Sequence, residues 1–380
     1  MSQLLTIVSL LLSASTAVVS TPCVAFDINW NLLAFGLDGK DYNAGTQDTW
    51  AGNNNKATDI TGSGRPSFDG ANTTCYLSQY TNAIYVLNGD SQNPSSIYIY
   101  DATANSWTTQ ATTTNGFNPA AFDAILDHDT NVFYALSGGN LFSLDMGLLK
   151  AANSTPLAWT NDKAAPYPAD YEPVMALAEN HVHFLDVPGV AAGSADIFVI
   201  HYSYFQPQPQ PYPLTNGSTL PATYGQATSF FQNTGVQQEF AFIPEDSSAV
   251  YVINVDSNNT QVLAGPTIKD PKATYFASVD TLVQLSSNGA VSYLPYQQGN
   301  TAANTAASWA TVSVLATVAP PSSPSNSSNG PLNGTSGGSS GNSSSTGSGS
   351  SGKSSDAPSS RVIHASVLAA LAMGALALVL

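Results

Sequence analysis

One pattern limits the folds open to this chain more than any other. It is a pair of short apolar strands joined by a turn, closed by an Asp and followed by a Trp, and it returns several times. Residues 83–110 read AIYVLNGDSQNPSSIYIYDATANSWTTQ, with Asp101 ending the second strand and Trp107 after a polar turn. Residues 132–159 repeat it as VFYALSGGNLFSLDMGLLKAANSTPLAW, with Asp145 and Trp159 in the same roles. A third copy, HVHFLDVPGVAAGSADIFVIHYSY, keeps the strands and loses the Trp; a fourth, EFAFIPEDSSAVYVINVDSNNTQVL, carries Asp256. A fifth, ASVDTLVQLSSNGAVSYLPYQQ, runs on to Trp309. Between about residues 26 and 318, β-branched and aromatic residues alternate with turn residues, and no long stretch has the 3.6-residue apolar period of a helix. Only LFSLDMGLLKAAN around Met146 is compatible with a short helical turn. Hydrophobic residues make up 43% of the chain, enough to build a core, so this region is expected to be ordered and all-β.

The marker after the second strand (Asp101, Asp145, His201, Asp256, Tyr293) returns every 37 to 56 residues or so, around the blade length of radial β repeats. The Y-x-Y-D-x-x-x-x-x-W run at residues 98–107 and the SGG of Ser137, Gly138 and Gly139 resemble the kelch/galactose-oxidase-type β-propeller. The resemblance implies an all-β ring over residues 21–318, with about six four-stranded blades and seven as the alternative. Residues 27–52, DINWNLLAFGLDGKDYNAGTQDTWAG, supply the first blade and end it near Trp50. A ring suits such a sequence because each blade buries both faces against neighbours and leaves only short edges. In that fold Gly138–Gly139 serves a turn with φ > 0, while Trp107 and Trp159 pack between blades. The competing architecture is two β-sandwiches joined at residues 206–213, QPQPQPYP, which reads instead as a polyproline-type loop between blades. The family's copper site uses His and Tyr with a Cys cross-linked to one Tyr. Here His201–Tyr202 stands in the reverse order and no third cysteine exists, so no copper or other cofactor is carried over.

The two ends carry a different message. Residues 4–12 are apolar and lead through small residues to Ser20, which reads as a signal peptide over residues 1–20. From residue 319 through residue 361 the chain turns Pro-rich, then Ser/Gly-rich, which reads as a disordered stalk and spacer, and residues 362–380 form the apolar run VIHASVLAALAMGALALVL up to Leu380. Small residues, a polar spacer and a hydrophobic tail in that order are the signal for a GPI anchor, with Ser350 or Ser355 as the attachment residue. The expected location is therefore the outer face of the plasma membrane or the cell wall. N-x-S/T sequons at Asn72, Asn153, Asn216, Asn258, Asn326, Asn333 and Asn342 fit that route, and the two cysteines, Cys23 and Cys75, are expected to pair.

Chemistry-bearing motifs are sparse. Net charge is −16 with nine Lys and Arg, which leaves no basic stripe and argues against nucleic acid. His181 and His183 alternate on a strand and are the weak candidates for a metal, though a ligand sphere would need Asp186 or His201 as well. The DHDTN run at residues 127–131 starts like a calcium loop but lacks its Gly and closing Glu. Carboxylates in loops (Asp170, Glu172, Glu179, Glu239, Glu245, Asp246) are open to glycosidase chemistry only if two converge. Tyr171, Tyr212 and Tyr224 are candidates for stacking on sugar rings. The expectation is a GPI-anchored surface glycoprotein whose propeller binds a polysaccharide or a surface protein, the alternative being an oxidase or glycosidase acting at the channel mouth.

Overall fold

The computed structural model describes residues 20–322 apart from 52–54, 169 and 215–216. The signal segment up to residue 19, the Ser/Gly tract past residue 322, the C-terminal tail, Ser350, Ser355, Asn216, Asn326, Asn333 and Asn342 lie outside the described residues. No helix among the described residues is long and apolar enough to cross a membrane.

Six antiparallel four-stranded meanders form the protein. Blade 1 comprises Cys23–Phe26, Leu32–Leu37, Lys40–Asn43 and Thr58–Asp59. Blade 2 comprises Thr74–Ser78, Ala83–Leu87, Ile97–Asp101 and Ser106–Gln110. Blade 3 comprises Asp123–Asp127, Val132–Ser137, Asn140–Asp145 and Thr160–Ala164. Blade 4 comprises Val174–Ala178, His181–Leu185, Ser194–Val199 and Tyr204–Phe205. Blade 5 comprises Gly225–Ser229, Glu239–Pro244, Ala249–Asn254 and Asn259–Ala264. Blade 6 comprises Thr274–Ala277, Thr281–Leu285, Val291–Pro295 and Ala310–Thr311. The first strand of each blade touches the first strand of the next, and that of blade 6 touches that of blade 1. The chain is therefore a closed six-bladed β-propeller around a central channel, as the repeats imply. The QPQPQPYP segment connects blades 4 and 5 and adds Gln210–Pro211 as an extra edge strand on Ser194–Val199.

Six hydrophobic clusters hold the ring, one at each blade–blade seam. The period of two in a strand explains how. On Val174–Ala178, residues Val174, Ala176 and Ala178 pack toward blade 5, while Met175 and Leu177 pack toward blade 3. Both faces are covered, so the strand is apolar at every position. Four of the tryptophans fill seams: Trp107 between blades 1 and 2, Trp159 between 2 and 3, Trp309 between 5 and 6, and Trp50 between 6 and 1. The third repeat lacks a Trp, and Tyr167, Phe184 and Phe198 fill the seam between blades 3 and 4 instead. Gly138 and Gly139 have φ of 55° and 75°, the left-handed backbone that the turn requires. The Asp at the end of the repeat closes the next turn, since the Asp101 carboxylate accepts from the backbone N–H of Thr103 at 2.9 Å.

Every blade draws its strands from one stretch of sequence, so the ring has no strand shared between its two ends. A short helix closes it. Helix α1 (Thr301–Ala306) lies in blade 6, and helix α2 (Ser313–Val318) buries Val314 and Leu315 in the seam between blades 6 and 1. The segment around Met146, compatible with a short helical turn, forms no helix. That segment is a hydrogen-bonded turn in which Leu149 N–H donates to the Met146 carbonyl, because Gly147 at φ 53° breaks the helical path.

Cys23 and Cys75 form a disulfide between the innermost strands of blades 1 and 2, with their Cα atoms 5.9 Å apart. The N-terminal strand is thus covalently tied to the ring.

Candidate functional site

All innermost strands run in the same direction, so their first residues form the rim of one mouth, here called the upper mouth. Thr74, Asp123, Val174, Gly225 and Thr274 open five of these strands, and all line a cavity of about 640 Å³. At Gly225 a Cβ would lie 2.3 Å from the Ile243 carbonyl oxygen, so no larger residue fits there. Below the mouth the lumen continues for about 150 Å³ past Tyr76, Asp123 and Gln226. Aromatic rings crowd its far end, where Trp30 lies 5.6 Å from Phe231 and Phe231 stacks on Phe276 at 6.2 Å.

Asp123 is the group that sets the chemistry of this cup. Its carboxylate accepts hydrogen bonds from the backbone N–H of Met175 at 2.8 Å and of Ala124 at 2.9 Å, and no cation is paired with it. The side chain is part-exposed to the lumen but walled in by neighbouring strands. Enclosure outweighs the two hydrogen bonds and pushes its pKa up to about 7. Tyr171 and Tyr224 stand at the rim, part-buried, and burial raises both phenols above their usual range. Asn72, Asn118 and Gln226 supply amides, Asp170 and Glu172 add exposed carboxylates, and among the described residues no Lys, Arg or His lines the cavity. Asn72 is held against the rim by its side-chain N–H, which donates to the Phe122 carbonyl at 3.3 Å.

The residues singled out from sequence are scattered. Of the six loop carboxylates, Asp170 and Glu172 reach the upper mouth. Glu239 is buried between blades 5 and 6, where it accepts from the Tyr296 hydroxyl at 2.6 Å and the Asn254 amide at 2.9 Å, a structural role. Glu179 sits in the turn at the opposite end of blade 4, and Asp246 closes its own turn by accepting from Ser248 N–H at 2.8 Å. Tyr212 is fully buried and unavailable to a sugar, whereas Tyr171 and Tyr224 face the cavity.

His181 and His183 do not stand on a solvent-facing strand. Their strand lies inside blade 4, and His183 packs against Tyr212 and Phe240 with ring centroids at 5.9 and 5.3 Å. Burial lowers its pKa to about 3. The two imidazoles are 6.4 Å apart, and no group of three His, Cys, Asp or Glu among the described residues is placed to hold a metal. Asp127 of the DHDTN run is buried and accepts from Thr130 Oγ1 at 2.5 Å, which closes the turn. Asn72, Asn153 and Asn258 are all exposed.

A closed ring of six blades with an open, acidic cup at one mouth defines the class: a six-bladed β-propeller with a channel-mouth pocket. Among solved structures, that of YjhT superposes with a TM-score of 0.51 over 77% of this chain and 97% of that chain, at 10% identity. The nidogen/laminin complex gives 0.41 over 64% and 79%, at 9% identity. Likeness at this level of identity is one of fold alone. No protein-family model and no curated protein matches the chain.

Proposed function

We propose that this chain is a secreted, GPI-anchored surface glycoprotein whose kelch-type propeller binds a neutral, polyhydroxylated ligand of the carbohydrate class at its upper mouth. The observation that carries the reading is the composition of the 640 Å³ cup: two rim tyrosines, three amides and three carboxylates, with no basic side chain. Tyrosine faces stack on the C–H faces of sugar rings, and amides and carboxylates satisfy hydroxyl groups. An acidic lining without a cation repels uronates, sulfates and phosphates. The ordered Ser/Gly-then-apolar design of the C-terminal sequence and the exposed sequons support the surface location. Residues 336–355 are almost all Ser or Gly, the composition that precedes the hydrophobic tail in such a signal.

Two experiments test this. A glycan array probed with the propeller should retain neutral wall polymers and lose them with the Tyr171→Ala, Tyr224→Ala double substitution; equal signals from both proteins would end the assignment of the mouth. Phosphatidylinositol-specific phospholipase should release the protein from cells, once inositol acylation has been excluded.

One observation favours a second reading, that of an enzyme. A carboxyl with a pKa near 7 inside a ligand-sized cavity can take up or give a proton at neutral pH. In that case Asp123 is the acid or base, and Asp123→Asn abolishes turnover while retaining binding.

A further inference from the structure

The three described sequons occupy different parts of the ring. Asn258 lies in the turn between the third and fourth strands of blade 5, at the end away from the upper mouth, and Asn153 lies in the long connection between the third and fourth strands of blade 3, where its backbone N–H donates to the Gln110 side-chain oxygen at 2.9 Å on the outer strand of blade 2. Asn72 lies at the start of blade 2, on the rim itself. Its side-chain nitrogen is 3.3 Å from the carbonyl of Phe122, the residue before Asp123. It is exposed and lines the same cavity as Tyr171 and Tyr224.

From this juxtaposition we infer that an N-linked glycan on Asn72 stands over the upper mouth and restricts the cup to small saccharides and chain ends, excluding the middle of a polymer. The inference rests on the secretory reading above. In the transfer, the Asn72 amide nitrogen forms a bond to the anomeric carbon of an oligosaccharide carried on a lipid diphosphate. The sugar–phosphate bond breaks, and the amide proton leaves with the diphosphate. One N–H remains on the substituted amide. Transfer precedes folding of blade 2, because the Thr74 hydroxyl that completes the sequon is buried in the finished strand beside Cys75. A bulky, hydrated chain fixed at the rim then blocks access from one side.

The test uses protein secreted from a eukaryotic host. Glycopeptides are mapped by mass spectrometry, and carboxyl groups are labelled with a water-soluble carbodiimide and a small amine. Asp123 reports on access to the cup, and exposed Asp129, at the other end of blade 3, is the control. Expected are a glycan on Asn72 and a several-fold rise in Asp123 labelling, relative to Asp129, after Asn72→Gln or after enzymatic removal of the glycans. Glycans on Asn153 and Asn258 with Asn72 bare, or with Asp123 labelling unchanged, overturn the inference and leave the secretory reading standing. No glycan at any of the three overturns the inference as well, and a chain that the host does not export overturns both. Enzymatic removal from the folded protein keeps the test valid if the Asn72→Gln variant fails to fold.

Discussion

The indole of Trp50, carried by blade 1, meets the ring of Tyr293, carried by blade 6, edge to face with centroids 4.8 Å apart. Around this pair the Thr281 hydroxyl donates to the Gln47 side-chain oxygen at 2.5 Å, and α2 seats Val314 and Leu315 in the same seam. With no shared strand, these contacts are what joins the two ends of the ring. Trp50 is fully buried, so Trp50→Ala should cost about 3–5 kcal/mol of stability. Urea unfolding followed by fluorescence would read it, and a loss below roughly 1 kcal/mol would show that the seam is held elsewhere.

The Cys23–Cys75 disulfide acts on the next seam. It closes a loop with a sequence separation of 52 residues, which on chain-entropy grounds is worth up to about 4 kcal/mol. Replacing both cysteines by Ser should therefore lower the urea midpoint, and adding reductant to the wild-type protein should move it to the same place. An unchanged midpoint under both treatments would mean that the bond is absent from the folded protein in solution.

The sequence shows the middle of each blade far better than its inner edge. The repeats visible by eye, such as Ala83–Leu87 with Ile97–Asp101, are the second and third strands, whose two faces are both covered and whose residues are therefore continuously apolar. The innermost strands are only four or five residues long, and their signal is uneven: Val174–Ala178, VMALA, is apolar throughout, whereas Gly225–Ser229, GQATS, carries little strand signal. Asp123 was missed for the same reason: one Asp ahead of an apolar stretch looks like a turn residue until six strands meet around it. The alternating His181 and His183 fail as a metal pair for a converse reason: both faces of the middle strands are covered, and His183 is buried against Tyr212 and Phe240.

At the mouth, Tyr171, from the loop before blade 4, and Gln226, from the first strand of blade 5, line one cavity. Tyr171 is fixed by its hydroxyl, which donates to the Leu185 carbonyl at 2.7 Å, so its ring is presented without much further ordering. Removing a fixed aromatic surface from a binding site typically costs 1 kcal/mol or more, about a five-fold loss of affinity. Tyr171→Phe, which also loses the anchoring hydroxyl, should weaken binding less than Tyr171→Ala. Isothermal titration with an oligosaccharide taken from the array would rank them, and equal affinities for wild type and Tyr171→Ala would place the ligand elsewhere.

Asp123 and His183 bend the pH dependence of stability in opposite directions. The folded-state pKa of Asp123, near 7, lies above its ordinary value of 3.8. Folding therefore favours its protonated form, and its contribution, complete below about pH 4, is lost as the pH rises to 7. For His183 the folded value, near 3, lies below the ordinary 6.5. Its imidazole is buried neutral with Nδ1 unpaired, so its contribution is complete above about pH 6.5 and is lost as the pH falls toward 3. Between pH 4 and 6.5 the two slopes oppose, each with a ceiling of about 1.4 kcal/mol per pH unit, which lumen water reduces for Asp123. Asp123→Asn should leave stability rising with pH across that window, and His183→Phe should leave it falling. Urea midpoints at intervals from about pH 4 to 7.5 would separate the two, and identical pH profiles for wild type and both variants would mean that neither group titrates away from its ordinary range in the folded ring.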